Sequence, residues 1–236
     1  MDNTPNFVTS PKLKIKEPTL SLVFSFRNEE ENIPELVRRV RNILTDEIEK
    51  GNLSGYEMIF VNDDSTDRSR TLLMELAEGK NDIKIINMSR NFGVYPCVFA
   101  GLKYTRGDAV IYMDSDLQDP PEIIPKMLQA WKDPKEEVDV VHTQRSQRLG
   151  ESKFRLLLTL AGYHLLKKIS HIDLPIEVGD FKLLSRRAVN HLLEFKEKNP
   201  YTRGLVCWIG FKQTTIQYRR EARFSGESKF ATYRSS

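Results

Sequence analysis

The strand-like run at residues 108–113 ends in Asp114-Ser115-Asp116-Leu117-Gln118-Asp119-Pro120-Pro121-Glu122. Two aspartates separated by one residue, where a buried strand opens into a turn, can address one hard cation. Magnesium and manganese prefer oxygen ligands and keep positions open for water and phosphate. A Mg2+ or Mn2+ ion at this place would neutralise a diphosphate leaving group. A lone Asp-x-Asp ahead of a Pro-started helix is equally the pattern of a solvated turn, whereas the longer string is far more specific.

Three further polar stretches follow candidate strands. The first reads Arg27-Asn28-Glu29-Glu30-Glu31-Asn32-Ile33, the second Val61-Asn62-Asp63-Asp64-Ser65-Thr66-Asp67, and the third Ser89-Arg90-Asn91-Phe92-Gly93. The second half carries Gly179-Asp180-Phe181-Lys182-Leu183-Leu184-Ser185-Arg186, the run Arg203-Gly204-Leu205-Val206-Cys207-Trp208, and a basic stretch from Tyr218 to Phe230. In this order the motifs resemble the nucleotide-sugar glycosyltransferases of family 2, which have the GT-A fold. Within that family they are similar to the polyprenyl-phosphate (dolichol-phosphate mannosyltransferase-like) subgroup. The resemblance spans roughly residues 20–230. Ser25 and Arg27 depart from it, standing where the family carries Pro and Tyr, and an Arg27 guanidinium can stack on a base as a ring would.

The resemblance implies a division of labour. Asp116 would ligate the metal, with Asp114 beside it or on the ribose, and Gln118 and Asp119 would face sugar or phosphates. Asp63 would accept a hydrogen bond from the base, which suits uracil or guanine alike. Arg90 would balance phosphate or hold the nucleoside, and Ser65 and Asp67 read as helix caps. Glu29 has two readings, a nucleotide contact or an acidic residue favouring the next helix N-terminus. Asp180 would be the general base for a sugar hydroxyl. For a lipid phosphate, already largely anionic at neutral pH, it would instead orient the acceptor or hold a Lys or Arg, and a plain buried ion pair is the third reading. Arg145, Arg148, Arg220, Arg223 and Lys229 are the candidates for the acceptor phosphate, because Arg forks match phosphate oxygens.

The elements that must position these groups are legible as a pattern. Val-, Ile- and aromatic-rich runs at 20–26, 56–61, 83–88, 109–113 and 138–143 predict strands. Helical spacing is clear at Ile33, Leu36, Val37, Val40, Ile43 and Leu44, with Asn32 and Glu35 as a capping box and Pro34 in the first turn. Further helices are expected near 68–78, 95–104 and 121–132, then at 144–170 and 185–198, with a late strand near 214–218. Alternating strands and helices predict an α/β fold with a doubly wound, mainly parallel sheet. Such sheets bind ligands at the carboxyl ends of their strands. Residues 1–19 read as a polar tail and 20–236 as one domain, divided into a nucleotide-sugar half (20–144) and an acceptor half (145–236). Trp208, Phe211 and His142 are expected to be structural.

With 236 residues, 39% hydrophobic and 29% charged, the chain can bury a sizeable core and is not of disordered composition. The net charge is only +3. Arg145, Arg148, Lys153, Arg155, Lys167 and Lys168 nevertheless oppose a single Glu151 over 143–170, and the last 20 residues are basic as well. That asymmetry suits an anionic lipid acceptor and an anionic membrane surface, and no nucleic-acid-binding motif accompanies it. Residues 153–168 are too short to span a bilayer, for which about 20 apolar residues are needed, and fit an interfacial or a core helix. Cys97 and Cys207 have no metal-type spacing and are expected as buried thiols of a reducing compartment. No secretory signal is visible, so a cytoplasmic site at the inner face of a membrane is expected.

The expected activity is inverting transfer of a hexose from a UDP- or GDP-sugar to polyprenyl phosphate. A family 2 transferase acting on a glycan hydroxyl and a non-catalytic nucleotide-binding scaffold are the alternatives. The absence of Gly-x-Gly-x-x-Gly after the first strand disfavours a dinucleotide dehydrogenase.

Overall fold

The computed structural model describes residues 16–145, 178–197 and 201–219. Arg148, Arg220, Arg223, Lys229 and the 153–168 segment fall outside these described residues. The predicted alternation appears as β1 (Thr19–Phe26), α1 (Ile33–Glu49), β2 (Gly55–Asn62), α2 (Ser69–Ala77), β3 (Ile83–Asn87), α3 (Val94–Leu102) and β4 (Ala109–Asp114). A 3-10 turn (Pro121–Ile123) leads into α4 (Ile124–Lys132) and β5 (Val140–Arg145). The second half contributes β6 (Val178–Ser185), α5 (Arg186–Leu193), α6 (Thr202–Trp208) and β7 (Gln213–Tyr218).

All seven strands form one sheet in the order β3-β2-β1-β4-β6-β5-β7. Strand β6 is antiparallel to β4 and β5, and the other pairs are parallel. The α/β, mainly parallel sheet expected from the sequence is thus present. The antiparallel insertion of β6 was not expected, since the Gly-Asp-Phe-Lys run read only as a motif.

Side-chain alternation sorts the core onto two faces. Leu20, Leu22, Phe24 and Phe26 of β1 pack with Ile33, Leu36, Val37, Val40 and Leu44 of α1 and with Met127, Leu128 and Trp131 of α4. Val23, Val61, Val110 and Tyr112 pack on the opposite face with α3, α5 and α6. Phe24 and Phe60 stack across β1 and β2 with ring centroids 4.6 Å apart. The capping box at the start of α1 does not form. Asn32 caps nothing with its side chain and instead donates from Nδ2 to Glu29 Oε2 at 2.6 Å, while Glu35 pairs with Arg38. Pro34 does occupy the first turn.

From β1 the chain winds outward through β2 to β3, with α1 on one face, and then returns through α3 on the other face to β4. The winding direction therefore reverses between β1 and β4, and their carboxyl ends open a crevice of the kind in which doubly wound sheets hold ligands. Helix α3 lies close enough to the sheet that a Cβ on Gly101 would sit 3.1 Å from Val61 Cγ2 and nearer still to Val23 Cγ1. Both neighbours are β-branched side chains in the packed core and have little room to yield. Gly101→Ala is expected to destabilise the fold by roughly 1–3 kcal/mol, the usual range for overpacking. A lowered urea midpoint with unchanged slope would show it.

Candidate active site

The register between β4 and β6 decides where the chemistry can occur. Tyr112 lies opposite Lys182. Because the strands are antiparallel, Asp114 and Asp180 lie two residues beyond that pair, at the same edge of the sheet and on the same face. Asp114 is surrounded by negative charge. Burial, then Asp116, Asp180 and Asp119, push its carboxyl from 3.8 up to about 7, with only Arg145 opposing.

The loop after β4 is held in a fixed shape. Ser115 Oγ donates to Ser25 O at 3.0 Å, bridging the ends of β4 and β1. Asp116 Oδ1 accepts the Gln118 N–H at 3.1 Å across Leu117, which is buried and has a left-handed φ of 57°. Gln118 is partly exposed. Asp119 departs from its expected role of facing sugar or phosphates. It is only 2% exposed and accepts a hydrogen bond from Tyr218 Oη. Arg145 reaches the same pair, with Nε 3.3 Å from Tyr218 Oη and a guanidinium nitrogen 3.7 Å from Asp119. Asp119 therefore fastens the metal-type loop to the ends of β5 and β7. Burial and Asp119 push the Tyr218 phenol up to about 12, so it stays a donor.

At the other end of the crevice, loops from β1, β2 and β3 are knitted together. Asn28 (φ 53°) donates its backbone N–H to Ser65 Oγ at 3.0 Å, and the Glu29 and Glu30 N–H groups donate to Ser69 Oγ and Asp67 Oδ2 at 2.8 and 3.2 Å. Ser65 thus ties loops together and does not cap, whereas Asp67 also accepts the Ser69 N–H at 3.0 Å at the start of α2. Asp63 is 6% exposed, and its two oxygens accept the Phe92 and Gly93 N–H groups at 2.7 and 2.9 Å. A carboxylate has further lone pairs for a base, but its first task here is to bracket the Arg90 loop. Arg90 is exposed, stacks 3.9 Å over the Phe92 ring and donates to Asn91 O. Glu29 and Arg27 are half-buried at the mouth of the crevice.

Asp180 forms an ion pair, one of its three sequence readings, with a partner the sequence did not name. Arg203, in the first turn of α6, donates from Nε to Oδ1 at 2.8 Å and from Nη2 to Oδ2 at 2.5 Å. Both carboxylate oxygens are therefore engaged by one guanidinium. Tyr95 and Tyr201, with ring centroids 6.0 Å apart, stand beside this pair. The Arg-Gly-Leu run was visible in the sequence, but no spacing rule couples position 203 to position 180. Lys182, fully buried below, donates to Gly179 O, and burial lowers its amine to about 8. His142 is structural as expected: it bonds Gln213 at 2.6 Å, and burial, with Lys182 adding to it, lowers its ring to about 4. Cys97 is buried and Cys207 half-buried, both as free thiols. Trp208 is not core. It is 60% exposed at the last position of α6 and meets Phe195 edge-on.

Among the described residues no group of three or more ligand-type side chains gathers as a metal cage, and none has a helix long and apolar enough to cross a membrane. Two carboxylates on a tight turn still suit Mg2+ or Mn2+, which keep several waters and take phosphate oxygens as further ligands. The crowding that raises Asp114 is what a bound dication would relieve.

The glycosyl transferase family 2 model matches residues 21–193. The uncharacterized glycosyltransferase YkcC of Bacillus subtilis (strain 168) is 41% identical over 210 residues, covering 89% of this chain and 62% of the relative. The bactoprenol glucosyl transferase of Shigella phage SfX is 36% identical over 211 residues, covering 89% of this chain and 67% of the relative. Among solved structures, the Pyrobaculum calidifontis mannosyltransferase PcManGT, in complex with GDP-Man and Mn2+, superposes with a TM-score of 0.57 at 18% identity, covering 85% of this chain and 55% of that one. The fold is that of the GT-A transferases, and the chain belongs to glycosyl transferase family 2. It spans about three fifths of the length of YkcC, at 62%.

Asp114 supplies a test of the charge balance. Its carboxyl is raised from 3.8 to about 7, so the stability it contributes is full below its unfolded value and is lost as pH rises through about 7. Asp114→Asn should therefore raise the Tm at pH 8 in chelator by roughly 2–4 °C, the shift made by about 1 kcal/mol in a domain of this size. The gain should shrink toward pH 4.5, and the variant should lose the stabilisation that Mn2+ gives the wild type. Thermal melts across pH, with and without Mn2+, measure both effects.

Proposed function

We propose that this protein transfers a hexose from a UDP- or GDP-sugar to a polyprenyl phosphate, with inversion at the anomeric carbon, at the cytoplasmic face of a membrane. The observation that carries this reading is the carboxylate-crowded end of β4 at the sheet's switch point, faced on the acceptor side by Arg145 and by the Arg203–Asp180 pair. Relatives named as bactoprenol glucosyl transferases support the lipid acceptor. The Mn2+ and GDP-Man bound by PcManGT support the donor class and a divalent cofactor.

Asp116 and Asp114 would hold Mg2+ or Mn2+, which would neutralise charge developing on the departing diphosphate. The loops around Glu29, Asp63 and Arg90 form the wall for the nucleoside, and Asp63 suits the N–H groups of either uracil or guanine. A phosphate monoester carries about −1.5 to −2 charge near neutral pH, so its oxygen is a ready nucleophile and requires no base. That fits an Asp180 whose oxygens are already engaged. Arg145, braced by Tyr218 and Asp119, points its charge at the acceptor side. Arg148, Arg220, Arg223 and Lys229 complete the proposed set of phosphate-facing cations.

Incubation with labelled UDP-glucose or GDP-mannose, polyprenyl phosphate and Mg2+ or Mn2+ should give an organic-soluble, labelled product. Label appearing only in a water-soluble glycan would overturn the lipid acceptor. Asp116→Asn should leave the fold intact and weaken Mn2+-dependent binding of nucleoside diphosphate by about 10- to 100-fold, since hydrogen bonds and ligand contacts to a full charge are worth about 1.5–3 kcal/mol. Calorimetry with and without Mn2+ reads this directly, and undiminished metal-dependent binding would remove Asp116 from the site.

A further inference from the structure

The ion pair at Asp180 occupies only one edge of the Arg203 guanidinium. Nε and Nη2 face the carboxylate at 2.8 and 2.5 Å, and Nη1 has no hydrogen-bond partner among the described residues. The outer edge, formed by Nη1 and the second Nη2 hydrogen, is thus a spare fork of parallel N–H donors. The Arg203 side chain is 36% exposed whereas Asp180 is 16% exposed, so the free edge belongs to the more open side of the pair. Arg203 also lies close enough to Arg145 for the two like charges to act on each other. The two like charges repel, which an anion bound beside them would relieve. Each is already braced by a buried or half-buried acid, Asp119 in one case and Asp180 in the other.

We propose that Arg203 binds the acceptor's phosphate monoester through its free guanidinium edge, and that Asp180 is the positioning residue that aims it. The inference rests on the reading of the acceptor as a polyprenyl phosphate and assigns the group that grips it. Position 203 lies outside the residues matched by the family model, so the assignment comes from the geometry alone. An arginine held flat by one carboxylate has already lost its rotamer freedom, and a phosphate then meets a rigid donor pair at little further entropic cost. The Tyr95 and Tyr201 rings, with centroids 6.0 Å apart, lie near the pair.

The test uses the full chain and a short-chain polyprenyl phosphate in detergent, with acceptor and nucleotide sugar varied separately. Arg203→Ala should raise the acceptor KM by about 10- to 100-fold, the loss expected for charge-assisted hydrogen bonds, with the nucleotide-sugar KM unchanged. Arg203→Lys keeps the charge without the fork and should fall between the wild type and Arg203→Ala. It also serves if the alanine variant fails to bind nucleoside diphosphate in calorimetry and so is misfolded. Asp180→Asn should raise the acceptor KM while preserving the shape of the wild-type pH–rate profile. The inference is overturned if both Arg203 variants keep the wild-type acceptor KM while the wild type labels the lipid. It is equally overturned if Asp180→Asn loses kcat at saturating acceptor and flattens the pH profile, since Asp180 would then be a base. A wild type that labels only a glycan hydroxyl overturns the function reading and this inference together.

Discussion

Negative charge gathered in one place is the constraint around which the rest of this structure is arranged. Asp116, Asp180 and Asp119 crowd Asp114 at one edge of the sheet, and burial together with their charge raises Asp114 to about 7. In partial shelter from water such repulsion is far stronger than on an open surface. The fold answers it with fixed cations and donors: Arg203 on Asp180, and Tyr218 with Arg145 on Asp119. Among the described residues only Arg145 opposes the charge at Asp114, and a dication with a nucleoside diphosphate would relieve the rest.

Holding that charge in register requires a stiff frame. The sheet supplies it through β1 and β4, whose paired strands are buried on both faces. The loops above the sheet are equally constrained. Asn28, Ser65, Asp67 and Ser69 tie the β1 and β2 loops, and Asp63 ties β2 to the loop carrying Arg90. Several acids read from the sequence as ligand contacts thus serve first as brackets. The two roles are compatible, because a carboxylate that bonds backbone N–H groups is itself fixed in place for a ligand.

Acids and backbone groups line the ends of β1, β2 and β4, while β5 and α6 supply arginines supported by acids, Arg145 by Asp119 and Arg203 by Asp180. The bidentate Asp180–Arg203 pair fixes a guanidinium beside the acids at the end of β4. Arg145 illustrates the same economy, since its brace Asp119 belongs to the metal-type loop.

Periodicity and punctuation in the sequence sufficed for the alternation of strands and helices from β1 to β5, because hydrophobic spacing is local. The same local signal located Asp114, Asp116, Asp63 and Arg90 at strand ends, and ordered motifs carried the family resemblance. What spacing could not convey was pairing between distant positions. The antiparallel entry of β6 between β4 and β5 depends on strand partners far apart in sequence, and it alone places Asp180 beside Asp114. The Arg203–Asp180 bond, the withdrawal of Asp119 to Tyr218, the unformed capping box at Asn32 and the exposure of Trp208 are of the same kind. Each is settled by which side chain a folded neighbour presents, a three-dimensional fact that a residue's own type and its near neighbours do not contain.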